Sequence, residues 1–229
     1  MSQPFLAAVG VARSFGRTAA LSGANVAVDR GEIVAVMGPS GSGKSTLLHC
    51  LSGILVPDEG EIRLDGMRVD QLGEAARTEL RRRRFGFVFQ FGQLVPDLPA
   101  AENVALPLLL EREQRRSALT RARSWLERLG LDGLDDRRPG ELSGGEAQRV
   151  ALALAVVTEP DVVFADEPTG SLDSLSGERV MDLLVDSARA QGATVVIVTH
   201  EARVAAYADR EVFMRDGVAV DQPHMEVIV

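Results

Sequence analysis

Lysine is almost absent from this chain. Lys44 is the only one, and every other basic residue is arginine. Cysteine is as scarce. The single Cys50 excludes an intrachain disulfide and points to a reduced compartment. It lies in the apolar run "LLHCLSG" and reads as a small buried hydrophobe. Long apolar runs are missing too. The longest, "VALPLLL" and "VALALAVV", fall far short of the roughly 18 residues that span a bilayer. The N-terminus "MSQPFLAAVGVARSF" has no basic start before its short apolar run, so it reads as a first strand rather than a signal peptide. Excess positive charge is lacking as well. A formal net charge of −8 argues against general nucleic-acid binding. There is no internal repeat, low-complexity tract or long linker.

What remains is a 229-residue chain with 45% hydrophobic residues, enough for a core of one or two domains. Short strands with turns come first: "FLAAVGVARSF", "ANVAVDRGEIVAVMG" and "GEIRLDG". Helical stretches follow, and "SALTRARSWLERLG" sets Leu119, Ala122, Leu126 and Leu129 at helical spacing, with Gly130 as a stop. From Pro160 strands and helices alternate: "DVVFAD", a helix through "SGERVMDLLVDSARAQG", "TVVIVTH", a short helix and "EVFMRDGVAVD". Apolar strands separated by helices imply a parallel sheet covered on both faces. The fold class expected is α/β, with an N-terminal antiparallel β part. The α/β core would comprise residues 1–90 and 159–229, with a helical subdomain at 91–158.

The lone lysine sits in "GPSGSGKS", which matches G-x-x-x-x-G-K-[ST] from Gly38 to Ser45. The strand-like "EIVAVM" before it and the helix-like "KSTLLHCLSG" after it supply the context this motif needs. Gly38, Gly41 and Gly43, with Pro39, Ser40 and Ser42 between them, let the loop wrap close to a ligand. Its N–H groups would face inward, and the helix opening at Lys44, Ser45 and Thr46 adds about half a positive charge. This is a polyphosphate site. A compact ammonium fits between the β- and γ-phosphates where arginine's planar fork does not. Ser45 offers its hydroxyl to Mg²⁺.

Two further stretches complete the chemistry. "DVVFADEP" ends a strand with Asp166, a candidate Mg²⁺ ligand, and Glu167, a candidate to orient and polarise an attacking water. Pro168 predicts an extended Glu167. "LSGGEAQRVALALAVV" places Ser143 and Glu146 as a capping box opening a helix. The box accounts for both residues but not for Gly144 and Gly145, which weaken a first turn. Bare backbone there also suits a second anion site, serving the nucleotide of another subunit.

Together these residues resemble the ATP-binding subunit of ABC transporters. The resemblance covers essentially the whole chain, with the motifs in family order: Gly38–Ser45, Gln90 in "FGFVFQFGQL", "LSGGE" at Leu142–Glu146, "VVFADE" at Val162–Glu167, "SLD" at Ser171–Asp173, and His200 in "VVIVTHE". It implies that Phe15 stacks on adenine, where many members have tyrosine. It also implies that Gln90 touches Mg²⁺ or the attacking water, that Asp173 crosses a dimer interface, and that His200 contacts the γ-phosphate. One departure is Ala153-Leu154, where members usually carry alanine-arginine. It bears on whatever polar contact that arginine makes, not on the nucleotide site.

"FVFQFGQLVPDLPAAENVALPLLL" and "DEPTGSLDSLSGERVMDLL" are similar to the subfamily of macrolide exporters, lipoprotein-releasing transporters, the cell-division ATPase and antimicrobial-peptide resistance pumps. The resemblance implies an ATP hydrolase with ATP and Mg²⁺ as cofactors, a homodimer when ATP is bound, and a place in the cytoplasm on the inner face of the membrane. Integral membrane permease subunits would dock around Leu94–Leu110, a stretch that also reads as ordinary core packing. Export or extraction of peptide, lipid-linked or macrolide-like substrates is the expected work. A force-transmitting envelope complex, a soluble non-transport ABC ATPase and a small P-loop kinase or GTPase are the alternatives. No nucleic-acid partner is expected. The run Arg81–Arg84 reads as a solvated helix end before a strand.

Overall fold

The structure, a computed structural model, describes residues 3–90 and 93–221. In chain order its elements are β1 (Leu6–Phe15), β2 (Thr18–Val28), β3 (Ile33–Met37), α1 (Lys44–Leu51), β4 (Glu59–Leu64), β5 (Met67–Arg68), α2 (Glu74–Arg84) and β6 (Phe85–Phe89). There follow α3 (Ala100–Leu110), α4 (Arg115–Arg128), a 3₁₀ turn at Pro139–Glu141, α5 (Gly144–Val156), β7 (Val162–Asp166), α6 (Ser174–Gln191), β8 (Thr194–Val198), α7 (Ala202–Ala205), β9 (Arg210–Arg215) and β10 (Val218–Asp221). The chain divides into two compact units, 1–78 with 194–229, and 79–193.

In the first unit an antiparallel sheet runs in the order β2-β1-β4-β5. Beside it, β3 pairs in parallel with β8 on one edge and β9 on the other, and β10 adds antiparallel to β9. Val34, Ala35, Val36, Val195, Val196 and Ile197 are all buried, so β3 and β8 lack the alternation of a half-exposed strand. That is the pattern of parallel strands covered on both faces.

In the second unit β6 and β7 pair in parallel from Phe85↔Val162 to Phe89↔Asp166. Phe85 meets Phe164 edge to face at 5.1 Å, which adds aromatic packing between the paired strands. Helix α4 buries Ala118, Ala122, Trp125 and Leu126. It stops as the sequence predicts. The Gly130 N–H donates to Glu127 C=O and the Leu131 N–H to Leu126 C=O, both at 2.9 Å, with Gly130 left-handed. These paired bonds, and the burial of Leu126 and Leu131, make a Schellman cap.

The stretch from Leu94 to Leu110 is divided. Ala100, Ala101, Val104, Ala105 and Leu108 are core, whereas Val95 and Leu110 are exposed. Buried Asn103 ties the two parts together. Its Oδ1 accepts from Val95 N–H at 2.7 Å, and its Nδ2 donates to Leu98 C=O at 2.8 Å. The arginine run does end α2 just before β6. Arg82 and Arg83 both pair with Glu111, and Arg84 pairs with Asp161. No helix among the described residues is long and apolar enough to cross a membrane.

Candidate functional site

In the first unit the phosphate loop leaves the carboxyl end of β3. Its neighbour β8 is in register through Val36↔Val198, so Gly38 and His200 emerge at the same edge of the sheet. His200 is exposed there. Carboxyl ends of parallel strands are where open α/β sheets bind ligands. The loop's path needs glycine. At Gly43 φ is +99°, and a Cβ would lie 2.3 Å from the Ala20 carbonyl oxygen. At Gly38 a Cβ would lie 2.2 Å from the Met214 carbonyl oxygen. A strand on either side therefore sets the loop's closeness, and any side chain would push it away.

Lys44 opens α1 and is only 8% exposed. Its Nζ donates to the Gly38 and Pro39 carbonyls, each at 2.9 Å. The ammonium thus sits inside the arc of its own loop, and the two carbonyls take two of its three N–H groups. Helix α1 has no side-chain cap at Gly43, and a helix N-terminus of this kind favours an anion. The buried Ser42 hydroxyl has no hydrogen-bond partner among the described residues, which also suits a site meant for an outside acceptor. Ser40 and Gly41 form the exposed crest, and Ser45 and Thr46 continue the first helical turn.

Phe15 ends β1 half-exposed, with the Arg13 guanidinium over its ring at 5.4 Å. One aromatic face is covered by the cation. Asp58 holds Arg13 in place, accepting from its Nη1 at 2.5 Å and from the Ser14 N–H at 2.8 Å.

In the second unit the β6–β7 register sets Phe89 beside Asp166. Gln90 and Glu167 are then the next residues out of the two strands. The Gln90 C=O accepts from Ser171 Oγ at 2.9 Å, and the Gln90 side chain lies against Gly170. The expectation of an extended Glu167 is overturned. Its φ is +47°, in the left-handed region. The Glu167 C=O accepts from the Gly170 N–H at 3.1 Å, so the chain reverses at once after β7. Closing that turn around Pro168 outweighs the local pre-proline preference. Strained backbone of this kind collects at functional positions.

The "LSGGE" segment forms its capping box. Ser143 Oγ accepts from the Glu146 N–H at 3.3 Å, and Glu146 Oε2 accepts from the Ser143 N–H at 2.7 Å. The Ser143 backbone N–H and hydroxyl hold the Glu146 carboxyl below its ordinary value. Gly145 gains a second reason to be glycine, since its Cβ would meet Ser176 Oγ at 3.2 Å. Helix α6 therefore approaches this first turn closely. Asp173 caps α6, accepting from the Ser176 N–H at 3.0 Å, and that bond lowers its pKa. Ser143, Gly145, Glu146, Arg149, Leu175, Ser176 and Arg179 together line an open cleft of about 170 Å³.

Sequence reasoning passed over Gln148. It is buried on α5, and its Nε2 donates to both Phe89 C=O and Pro168 C=O, each at 2.8 Å. The available signal was one polar residue on the inward face of an apolar helix.

An uncapped glycine loop before a helix, at the carboxyl edge of a parallel sheet, is an arrangement suited to phosphate. The ABC transporter model matches residues 21–170, and the chain belongs to that family as an ATP-binding, ATP-hydrolysing subunit. It is 48% identical over 201 residues to the lipoprotein-releasing system ATP-binding protein LolD of Bordetella pertussis, covering 88% of this chain and 87% of that protein. LolD of Hyphomonas neptunium is 42% identical over 225 residues, covering 96% and 99%. Among solved structures, the ATP-binding cassette MJ0796, in a dimeric post-hydrolysis state bound to ADP and Pi, matches with a TM-score of 0.88. It is 36% identical and covers 96% of this chain and 98% of that one. CbiO1 from Clostridium perfringens, part of the ABC transporter complex cbiONQ, matches at 0.86 and 31% identity, covering 96% and 88%.

Proposed function

We propose that this chain powers a lipoprotein-releasing type of transport system, working from the cytoplasmic face on separately encoded permease subunits. The relatives named LolD carry this reading, because the likeness extends along nearly the whole length of both proteins. The exposed large apolar residues of the 94–110 stretch, Val95 and Leu110, are the contact points offered to the membrane partner, with the 91–158 helical region as the part that transmits motion.

Two copies close head to tail around two nucleotides. Lys44, Ser42 and the first N–H groups of α1 hold the phosphates, Phe15 stacks on the base, and His200 contacts the γ-phosphate. Ser45, Gln90 and Asp166 offer hydroxyl, amide and carboxylate oxygens, the hard donor set that Mg²⁺ takes. That ion, when bound, neutralises phosphate charge. Glu167 orients the attacking water, and Ser143–Glu146 and Asp173 meet the nucleotide of the partner copy. Most of the rate enhancement is then electrostatic, from donors and cations aimed at charge developing on the γ-phosphoryl.

The test is light scattering on purified Glu167→Gln. With Mg-ATP the variant shifts from monomer to dimer, while its turnover falls about 10²- to 10⁴-fold, the usual worth of general-base help. Wild-type turnover in this variant removes Glu167 from its role. A mass that stays monomeric with ATP bound removes the two-copy closure.

A further inference from the structure

A glutamine buried in an apolar helix carries a desolvation cost unless every polar atom has a use. Gln148 is 2% exposed on α5, amid buried Val150, Ala151 and Leu152. Its single amide nitrogen spends both hydrogens on backbone carbonyls far away in sequence, Phe89 C=O and Pro168 C=O, each at 2.8 Å. Phe89 is the last residue of β6 and is followed by Gln90. Pro168 follows Glu167. One side chain therefore clamps both strand exits, next to Gln90, assigned above to the Mg²⁺ donor set, and Glu167, assigned to the attacking water. The Glu167 backbone, at φ +47°, has turned out of its local preference and needs outside restraint. The Pro168 bond supplies part of it. The Ser171 hydroxyl on the Gln90 carbonyl closes the other side of the same knot.

The clamp also has a mechanical address. Gln148 lies five residues into the helix that the Ser143 box opens, about 7.5 Å along its axis at 1.5 Å per residue. A displacement of that helix end pulls on both carbonyls at once.

We infer that Gln148 is a positioning residue for hydrolysis. It carries the state of the Ser143–Glu146 helix end to Gln90 and Glu167, and so sets the water-orienting geometry only when that helix is seated. The inference rests on the assignment of Glu167 and Gln90 made above. It concerns kcat and not nucleotide affinity, because both Nε2 bonds of Gln148 end at the exits of β6 and β7.

The experiment compares the full-length wild type with Gln148→Met, Gln148→Asn, Glu167→Gln and the double variant Gln148→Met with Glu167→Gln. Methionine matches the volume and removes both bonds. A misplacement near 1 Å at the water-orienting groups costs on the order of 100-fold in kcat. KM for ATP should stay within about twofold, because the ground-state contacts persist. Asparagine, shorter by one methylene, reaches one carbonyl at best and should lose about tenfold, which keeps the test open if methionine unfolds the chain. A merely structural glutamine would shift the melting temperature and KM without this split. In the Glu167→Gln background the methionine change should cost less than about threefold, because both changes act on the same step. Wild-type kcat in both Gln148 variants overturns the inference, and so do fully additive losses in the double variant. If Glu167→Gln itself turns over normally, the assignment of Glu167 fails first, and the inference fails with it.

Discussion

Replacing Lys44 by arginine keeps the charge and changes only its shape, so it isolates why the chain retains one lysine. The ammonium makes two bonds of 2.9 Å to the Gly38 and Pro39 carbonyls from a position 8% exposed. Hydrogen bonds to charged groups are worth about 1.5–3 kcal/mol each. A planar guanidinium retains one of the two carbonyls at best. It also adds volume to a closed arc, where overpacking costs about 1–3 kcal/mol. The lower halves of both ranges sum to about 2.5–4 kcal/mol, a roughly 70- to 1000-fold loss of ATP affinity. Calorimetric titration of the variant with Mg-ATP measures it directly, with a thermal melt to confirm folding. Affinity within about threefold of wild type would refute the argument, since charge alone would then suffice.

Ser143→Ala removes the oxygen that caps α5. It should cost about 1 kcal/mol and lower the melting temperature by about 2–4 °C in a chain of this size. The same box makes an acid-side prediction. The Glu146 carboxyl is held below its ordinary value by Ser143, so its stabilisation is present above the unfolded-state pKa of about 4.3 and is lost as pH falls through the lower folded value. Ser143→Ala should therefore flatten part of the acid limb of a stability-against-pH curve, and an unchanged limb would count against it. Cys50 predicts the opposite limb. Burial pushes its thiol up to about 11, so it stays neutral and unreactive toward a thiol reagent at pH 8 until denaturant exposes it. Its contribution to stability is full below the unfolded value and declines as pH rises toward 11. Rapid labelling of the native chain would overturn that account.

Much of the site was legible because its rules are local. The phosphate loop needs glycines, one ammonium and a helix start within a few residues. The capping box needs two residues three apart, and the Gly130 stop needs one left-handed position. Each reads as it folds. The failures share a cause as well. Pro168 predicts an extended Glu167 from its neighbour alone, but the turn that closes on Gly170 reverses the backbone there. The glycine at 145 looks like an opening for a ligand, and it is also the clearance that α6 requires. The 94–110 stretch is mostly apolar in sequence, yet only packing separates its core face from Val95 and Leu110.

The amino-acid sequence by itself determined that this is an α/β nucleotide-binding chain of the ABC type, and where its glycine loop and capping box lie, because those choices depend on short-range backbone geometry and on residue chemistry. Tertiary structure alone decided how the exits of β6 and β7 are held. The amide of Gln148 reaches Phe89, 59 positions away, and Pro168, 20 away, only after β6 and β7 have paired in one register and α5 has packed beside them. A hydrogen bond between distant segments has no local signature, so the clamp behind Gln90 and Glu167 exists only in the folded chain.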